Sequence, residues 1–179
     1  MHMSKPQKLF DPESPAELLL GWLVHAHKGR DRHDLAARVY ERGRYMLGVP
    51  TLIASTIVGT SVFSALSSPS GGVPSLWVGL FSVLAAILAA LQTFLDLPAR
   101  SAQHRATGVK YKAAIRELEQ MRATLAPGAA PPVDQINAAR AMLDALEDQA
   151  PVIMPRIFFA IERRYSNVVF VRQALGLYD

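Results

Sequence analysis

The sequence predicts an all-α membrane protein, with a two-helix transmembrane hairpin and amphipathic cytoplasmic helices before and after it. Residues 45–95 form a run of 51 positions without Asp, Glu, Lys, Arg or His. The 179-residue chain is 50% apolar but only 19% charged, below the roughly 25% charged content of ordinary soluble domains. A stretch rich in Ser, Pro and Gly at 67–75 divides the uncharged run, as expected for a turn between two helices.

Each half of the uncharged run is long enough to cross a bilayer once. Residues 45–66 would measure about 33 Å as a helix and residues 76–95 about 30 Å. The hydrocarbon core of a bilayer is about 30 Å thick, and a charge at its centre would cost roughly 2.5–3.5 kcal/mol. Two spans are therefore predicted. The alternative is a soluble protein with an unusually apolar core.

Charges on the flanks predict the orientation of these spans. Lys and Arg are frequent in 28–44 and in 96–122, whereas the loop at 67–75 carries no charge. Because Lys and Arg near span ends favour the cytoplasmic side, both termini are predicted to be cytoplasmic and the loop external.

The segment before the first span predicts cytoplasmic helices over 14–44. Ser14 can cap the first of them, with Glu17 completing a capping box. We expect this helix to end near Gly29 and a second to begin near Asp31. Residues 1–13 are interpreted as a disordered leader that includes a cloning remnant, with no signal peptide.

Residues 96–125 after the second span predict an amphipathic cytoplasmic helix. At 100° per residue its apolar side chains form one stripe, which could join copies of the chain or pack within one copy. Residues 126–132 are a proline-rich linker, and residues 133–179 are a helical extension in which Asp134 caps the first helix. A strand is the alternative for 167–171. The proposed oligomer stripe comprises Tyr111, Ile115, Leu118 and Leu125.

Both spans carry small or hydroxyl-bearing residues on one face. Small residues allow helices to approach closely in lipid, and hydroxyls suit either helix packing or the wall of a water-filled pore. Helix packing is the more common use of such hydroxyls, but both readings remain open. The residues concerned are Ser55, Thr56, Gly59 and Thr60 in the first span, and Gly79, Ser82, Ala86, Ala89, Ala90 and Thr93 in the second.

Asp96 and Arg100 lie at the predicted cytoplasmic mouth of the second span. Asp96 is expected to pair with Arg100 or with Arg44, and the alternative is a ring of acids that favours cations. No other pattern predicts chemistry. The histidines lack a metal-binding spacing, no carboxylate pair suits catalysis, and no glycine-rich phosphate loop occurs. We therefore expect no catalytic residues, metal, cofactor or nucleic acid.

Several short motifs resemble the SLATT family of bacterial conflict systems. They are the stretches at 45–50, 57–63, 91–94 and 102–106, followed by Tyr111. The resemblance covers about residues 15–125 and implies a two-span effector found beside nucleotide-messenger synthases and SLOG sensors. It implies a homo-oligomeric pore that permeabilises the bacterial inner membrane when a nucleotide-signalling or SLOG-type partner is activated. The alternative is a scaffold whose hairpin only tethers partner-binding helices.

Overall fold

The computed structural model describes residues 12, 14–67, 76–126 and 129–166. Every regular element within these ranges is an α-helix, which agrees with the predicted helical class. In chain order the helices are α1 (Pro15–Ser67), α2 (Leu76–Leu95), α3 (Leu97–Thr124), α4 (Val133–Asp148) and α5 (Pro155–Ser166).

The helices belong to two compact units. The bundle unit comprises residues 1–35 and 104–179, and the two-helix unit comprises residues 36–103. Helices α1 and α3 contribute residues to both units. The loop predicted at 67–75 lies almost wholly outside the described residues.

Helix α1 starts as predicted but is not interrupted. The Glu17 amide donates to Ser14 Oγ over 3.2 Å, which confirms Ser14 as the cap. The predicted end near Gly29 and restart near Asp31 are wrong, because α1 continues through both residues to Ser67. Gly29 instead gives room to the Tyr111 ring, since a Cβ built on it would lie 2.5 Å from the ring carbons Cε1 and Cζ. A helix tolerates one glycine where such a close approach is needed.

The bundle unit has its own apolar core, formed by α1, α3 and α4. The stripe of α3 lies in it: Tyr111, Ile115 and Leu118 are at most 5% exposed, and Leu125 is partly buried against them. This burial corrects the expectation that the stripe joins copies, because its surface is already covered by the same chain. The remaining core residues are Leu19, Ala26, Ala114, Ala139, Leu143 and Leu146.

Helices α4 and α5 lie within the predicted C-terminal extension. Pro132 occupies the N-cap position of α4 with no side-chain cap bond, so the prediction that Asp134 caps this helix is wrong. Asp134 lies in the first turn, where its charge still suits the helix dipole. The predicted break between Pro151 and Pro155 separates α4 from α5. The possible strand at 167–171 falls outside the described residues.

The two-helix unit leaves most of its apolar surface uncovered. Helix α2 matches the predicted second span residue for residue and contains no buried residue. Large side chains such as Leu76 and Phe94 are 88% and 84% exposed. Two helical stretches are long and apolar enough to cross a membrane. One is α1, and the other runs from Leu76 to Thr124, through α2 and α3 together.

The close approach at Gly29 yields a stability prediction. Gly29→Ala should destabilise the bundle unit by about 1–3 kcal/mol, because the added methyl overlaps the buried Tyr111 ring. The matched control is Gly59→Ala in the same helix, where nothing lies within 4 Å and alanine is the better helix former. Chemical unfolding in detergent would measure both. An equal effect of the two substitutions would contradict the assigned packing.

Candidate functional site

A side-chain amide links the two helices of the two-helix unit. Gln92 Nε2 donates to Thr51 Oγ over 2.6 Å and lies 3.4 Å from the Leu47 carbonyl oxygen. Gln92 is the only Asn or Gln within residues 45–95. An isolated amide among apolar residues needs a partner when no water is present, and that was the available sequence signal for this contact. No contact of Gln92 with α1 was predicted.

The same contact lies beside a proline in α1. Pro50 has no backbone N–H and so removes one donor from the interior of the helix. The Thr51 hydroxyl donates back to the Leu47 carbonyl over 2.7 Å while it accepts from Gln92. Side-chain hydroxyls and neighbouring helices commonly satisfy the backbone around prolines in membrane helices. Gln92 therefore fixes α2 against α1 at the point where α1 is locally weakened.

The predicted hydroxyl face uses its hydroxyls within single helices. Thr56 and Thr60 donate to the carbonyls of Leu52 and Thr56, at 2.8 Å and 2.9 Å. In α2, Ser82 and Thr93 bond to carbonyls four residues earlier, at 2.8 Å and 3.1 Å. Each of these four bonds lies within a single helix, so none of them joins α1 to α2.

The predicted small-residue face is open. Neither Gly59 nor Gly79 has any atom within 4 Å of the Cβ position built on it. Ser82 is half-buried, and the other predicted face residues are exposed: Ser55, Thr56, Gly59, Thr60, Gly79, Ala86, Ala89, Ala90 and Thr93. The two helices contact each other through Thr51 and Gln92, and Ala54, one turn after Thr51, is buried. The small-residue face is therefore available to another molecule.

The predicted ion pair of Asp96 is not formed among the described residues. Arg100 Nε instead donates to the Leu95 carbonyl oxygen over 3.0 Å, at the C-terminal end of α2. The Arg44 guanidinium lies 5.8 Å from the centre of the Tyr45 ring. A cation at a helix C-terminus can donate to a carbonyl that has no partner within the helix, and its charge suits the helix dipole. This explains why Arg100 binds the Leu95 carbonyl and not the Asp96 carboxylate. Asp96 itself makes the turn between α2 and α3 with a φ of 42°.

A pair of buried histidines joins α1 to α3 inside the bundle unit. His33 Nδ1 and His104 Nδ1 lie 2.9 Å apart, and the two residues are 1% and 3% exposed. The His33 ring also stacks on Tyr111, with the ring centres 5.6 Å apart. Sequence spacing gave no signal for this pair, because its members are 71 residues apart. We name His33 and His104 the histidine clasp.

The surroundings of the clasp keep His33 neutral. Burial, then the charges of His104 and Arg32, lower the pKa of His33 to about 4, against a smaller opposing effect of Asp34. The contact distance requires one Nδ1 to carry a proton and the other a lone pair. At neutral pH the His33 ring is therefore uncharged, and it shares one hydrogen bond with His104.

Ion pairs fasten α5 to α1 beside the clasp. Glu162 accepts from Lys28 over 3.0 Å and also binds Arg32. These two cations hold the pKa of the Glu162 carboxyl below its ordinary value, although burial opposes them. Tyr165 donates to Asp31 Oδ2 over 2.8 Å, and burial followed by that contact raises the pKa of Tyr165 to about 12.

A shallow groove of about 410 Å³ lies between α1 and α3 in the bundle unit. Leu20, Leu23, Val24 and Ala123 give it apolar walls, and Arg122 lies at its edge with the His27–Glu119 pair, whose charged atoms are 4.0 Å apart. Burial, then the charge of Arg30, lowers the pKa of His27. Such a groove could accept an apolar segment of a partner. Over the part of the chain that the structure describes, no cluster of three or more metal-ligating side chains occurs.

Comparison of the chain with protein-family models, with curated proteins and with solved structures finds no match.

The contact of Gln92 with Thr51 yields a second prediction. Gln92→Leu should weaken the association of α1 with α2 by about 0.6 kcal/mol and by no more than about 1.7 kcal/mol, the average and the maximum for hydrogen bonds between membrane helices. A double-mutant cycle with Thr51→Val, read by unfolding in mixed micelles, would isolate the pairwise energy. Thr93→Val is the control, because that hydroxyl bonds only to its own helix. A coupling energy of zero would show that the contact does not hold the helices together.

Proposed function

We propose that this protein inserts into the bacterial inner membrane through residues 45–66 and 76–95 and assembles into a homo-oligomeric pore. The main observation in support is that α2 is apolar along its length and has no buried residue. Water would make this surface costly at about 25 cal/mol per Å² of apolar area, whereas lipid removes the cost. The hairpin has both termini and all flanking helices in the cytoplasm, and residues 67–75 on the far side.

Oligomer formation is proposed because two helices cannot enclose a water-filled path. The open small-residue face of the two-helix unit supplies a surface on which copies can approach closely. The hydroxyls of Thr56 and Thr60 donate to their own backbone and keep their lone pairs to accept from water or from a neighbouring helix. Contact between copies is thus assigned to the spans. The buried stripe of α3 takes no part in it.

The biological role proposed is that of an effector in a bacterial anti-phage or conflict system. This part of the proposal rests on the resemblance of residues 15–125 to SLATT proteins. In such a system a nucleotide-signalling or SLOG-type partner would release pore formation, and the infected cell would stop growing. The protein has no enzymatic step of its own in this scheme.

A membrane-anchored scaffold is the second candidate, and the groove between α1 and α3 favours it. The bundle unit has its own core and leaves this groove of about 410 Å³ open. In this alternative the spans act only as an anchor, and the groove holds a partner protein. The pore requires the small-residue face for contact between copies, whereas the scaffold does not.

Thiol labelling tests the membrane topology. The chain contains no cysteine, so a single cysteine can be placed at Ser70 or at Gln135. An impermeant maleimide should label Ser70→Cys in intact cells and should label Gln135→Cys only after the membrane is opened. The unsubstituted protein is the control for background. Equal labelling at the two positions, or protein that stays in the supernatant after ultracentrifugation without detergent, would refute the hairpin.

Bulky substitutions on the small-residue face test the pore. Gly59→Leu and Ala86→Leu should reduce dye release from liposomes to the level of protein-free vesicles, because the added side chains keep the helices of different copies apart. Leu84→Phe adds bulk on the leucine-bearing side of α2 and should leave release unchanged. The purified partner should be present in parallel samples. Release that survives Gly59→Leu and Ala86→Leu would favour another face, and a stable monomer that never leaks would favour the scaffold.

A further inference from the structure

The histidine clasp joins α1 to α3 at the ends of the two chain segments that form the bundle unit. His33 lies two residues before the end of the first segment, at Leu35, and His104 is the first residue of the second. The clasp therefore closes the bundle where α1 leaves it and where α3 enters it.

The groups around the clasp come from every helix of the bundle unit. Arg32 and Asp34 flank His33 on α1, and α3 supplies Tyr111 together with Lys112, whose Nζ lies 3.0 Å from Asp34 Oδ2. From α4, the charge of Glu147 acts on Tyr111. From α5, Glu162 engages Arg32 and Lys28. The cation nearest in sequence to His33 is Arg32, which opposes any further positive charge on the pair.

Protonation acts on the clasp in two steps. The first added proton places a positive charge on rings that are 1% and 3% exposed, beside Arg32, while one N–H···N bond can persist. The second proton leaves an N–H on both Nδ1 atoms, which then face each other at 2.9 Å without an acceptor. At that point the hydrogen bond is lost and the two charges repel.

We propose that the histidine clasp is an acid-released lock, which holds α1 against α3 at neutral pH and lets these helices separate at this point when it is protonated. Beside the clasp, Lys28 and Arg32 hold the pKa of the Glu162 carboxyl below its ordinary value, although burial opposes them, so these contacts between α1 and α5 resist acid better than an ordinary carboxylate would.

The direction of the pH effect follows from linkage. The pKa of His33 is about 4 in the folded chain against an ordinary value of 6.5. The stability that neutral His33 gives to the clasp is thus complete above pH 6.5 and decreases as the pH falls toward 4. Over this window the protection of clasp-region amides against hydrogen exchange should fall by up to roughly two orders of magnitude.

Hydrogen exchange on the full-length protein in detergent tests the lock. Amides of α1 and α3 around His33 and His104 should lose protection between pH 6.5 and pH 4, after correction for the intrinsic pH dependence of exchange. In the His33→Asn/His104→Asn variant an amide pair can bond at the Nδ1 positions but cannot titrate, so its protection should be independent of pH. A wild-type profile without this loss, or the same loss in the double variant, would overturn the proposal.

The control is His25→Gln, which keeps a donor near the position of the Nε2 atom that contacts Glu147 over 2.6 Å. It should retain the wild-type profile, because His25 is exposed and lies outside the clasp. Should the double variant fail to fold, the single His33→Asn variant provides the same comparison, because it removes the group whose pKa is lowered. A pH-dependent loss of the same size in that variant would contradict the lock.

The effect of the lock on leakage rests on the proposed function and is read separately. Liposomes that contain the wild-type protein should release dye faster at about pH 5 than at about pH 7.5. Liposomes that contain the double variant should not show this difference. If no dye leaks at any pH but hydrogen exchange still shows the acid-dependent loss of protection, the pore is refuted and the lock is supported. If leakage is the same at every pH and protection is not lost, the pore is supported and the lock is refuted.

Discussion

The two-helix unit has a large apolar surface that the chain itself does not cover, and this surface determines which surroundings the unit can occupy. Helix α2 has no buried residue, although its side chains are those of a protein core. A solvent without hydrogen-bonding capacity accepts this surface but requires every backbone polar group to be bonded within the protein. Uninterrupted helices, hydroxyls bonded to their own helix and the paired amide of Gln92 all meet that requirement.

The bundle unit has a core that its own chain covers, and its glycines differ in surroundings from those of the two-helix unit. Gly29 and Gly108 allow close approach, because a Cβ on either would lie within 2.6 Å of Tyr111 or Asp34. Gly59 in the two-helix unit has nothing near it. The first two glycines serve packing already made inside one chain. The third leaves a smooth surface that a single chain does not use.

The apolar periods of the sequence predicted the elements well and the contacts between them poorly. The bounds of α2 followed from 20 uncharged residues after a turn-forming stretch, and the start of α1 followed from the side chain of Ser14. Gly29 was misread as a helix end, because a glycine that stops a helix and one that admits a neighbouring ring look alike in one sequence. The stripe of α3 was correctly seen as one face, but the sequence could not say what covers it.

The histidine clasp shows where such reasoning stops. A helical period states which side of a helix is buried, and it does not state which residue 71 positions away lies opposite. The same applies to Thr51 and Gln92, where composition alone could have flagged Gln92 as a group in need of a partner.

Asp96 makes the whole connection between α2 and α3. A left-handed backbone conformation is accessible to Asp at modest cost, so the chain passes from α2 to α3 through one pair of dihedral angles. Longer connections absorb movement by rearranging several residues, whereas this one has no slack. Any rotation of α2 about its long axis must therefore either turn the first residues of α3 with it or distort a single peptide hinge.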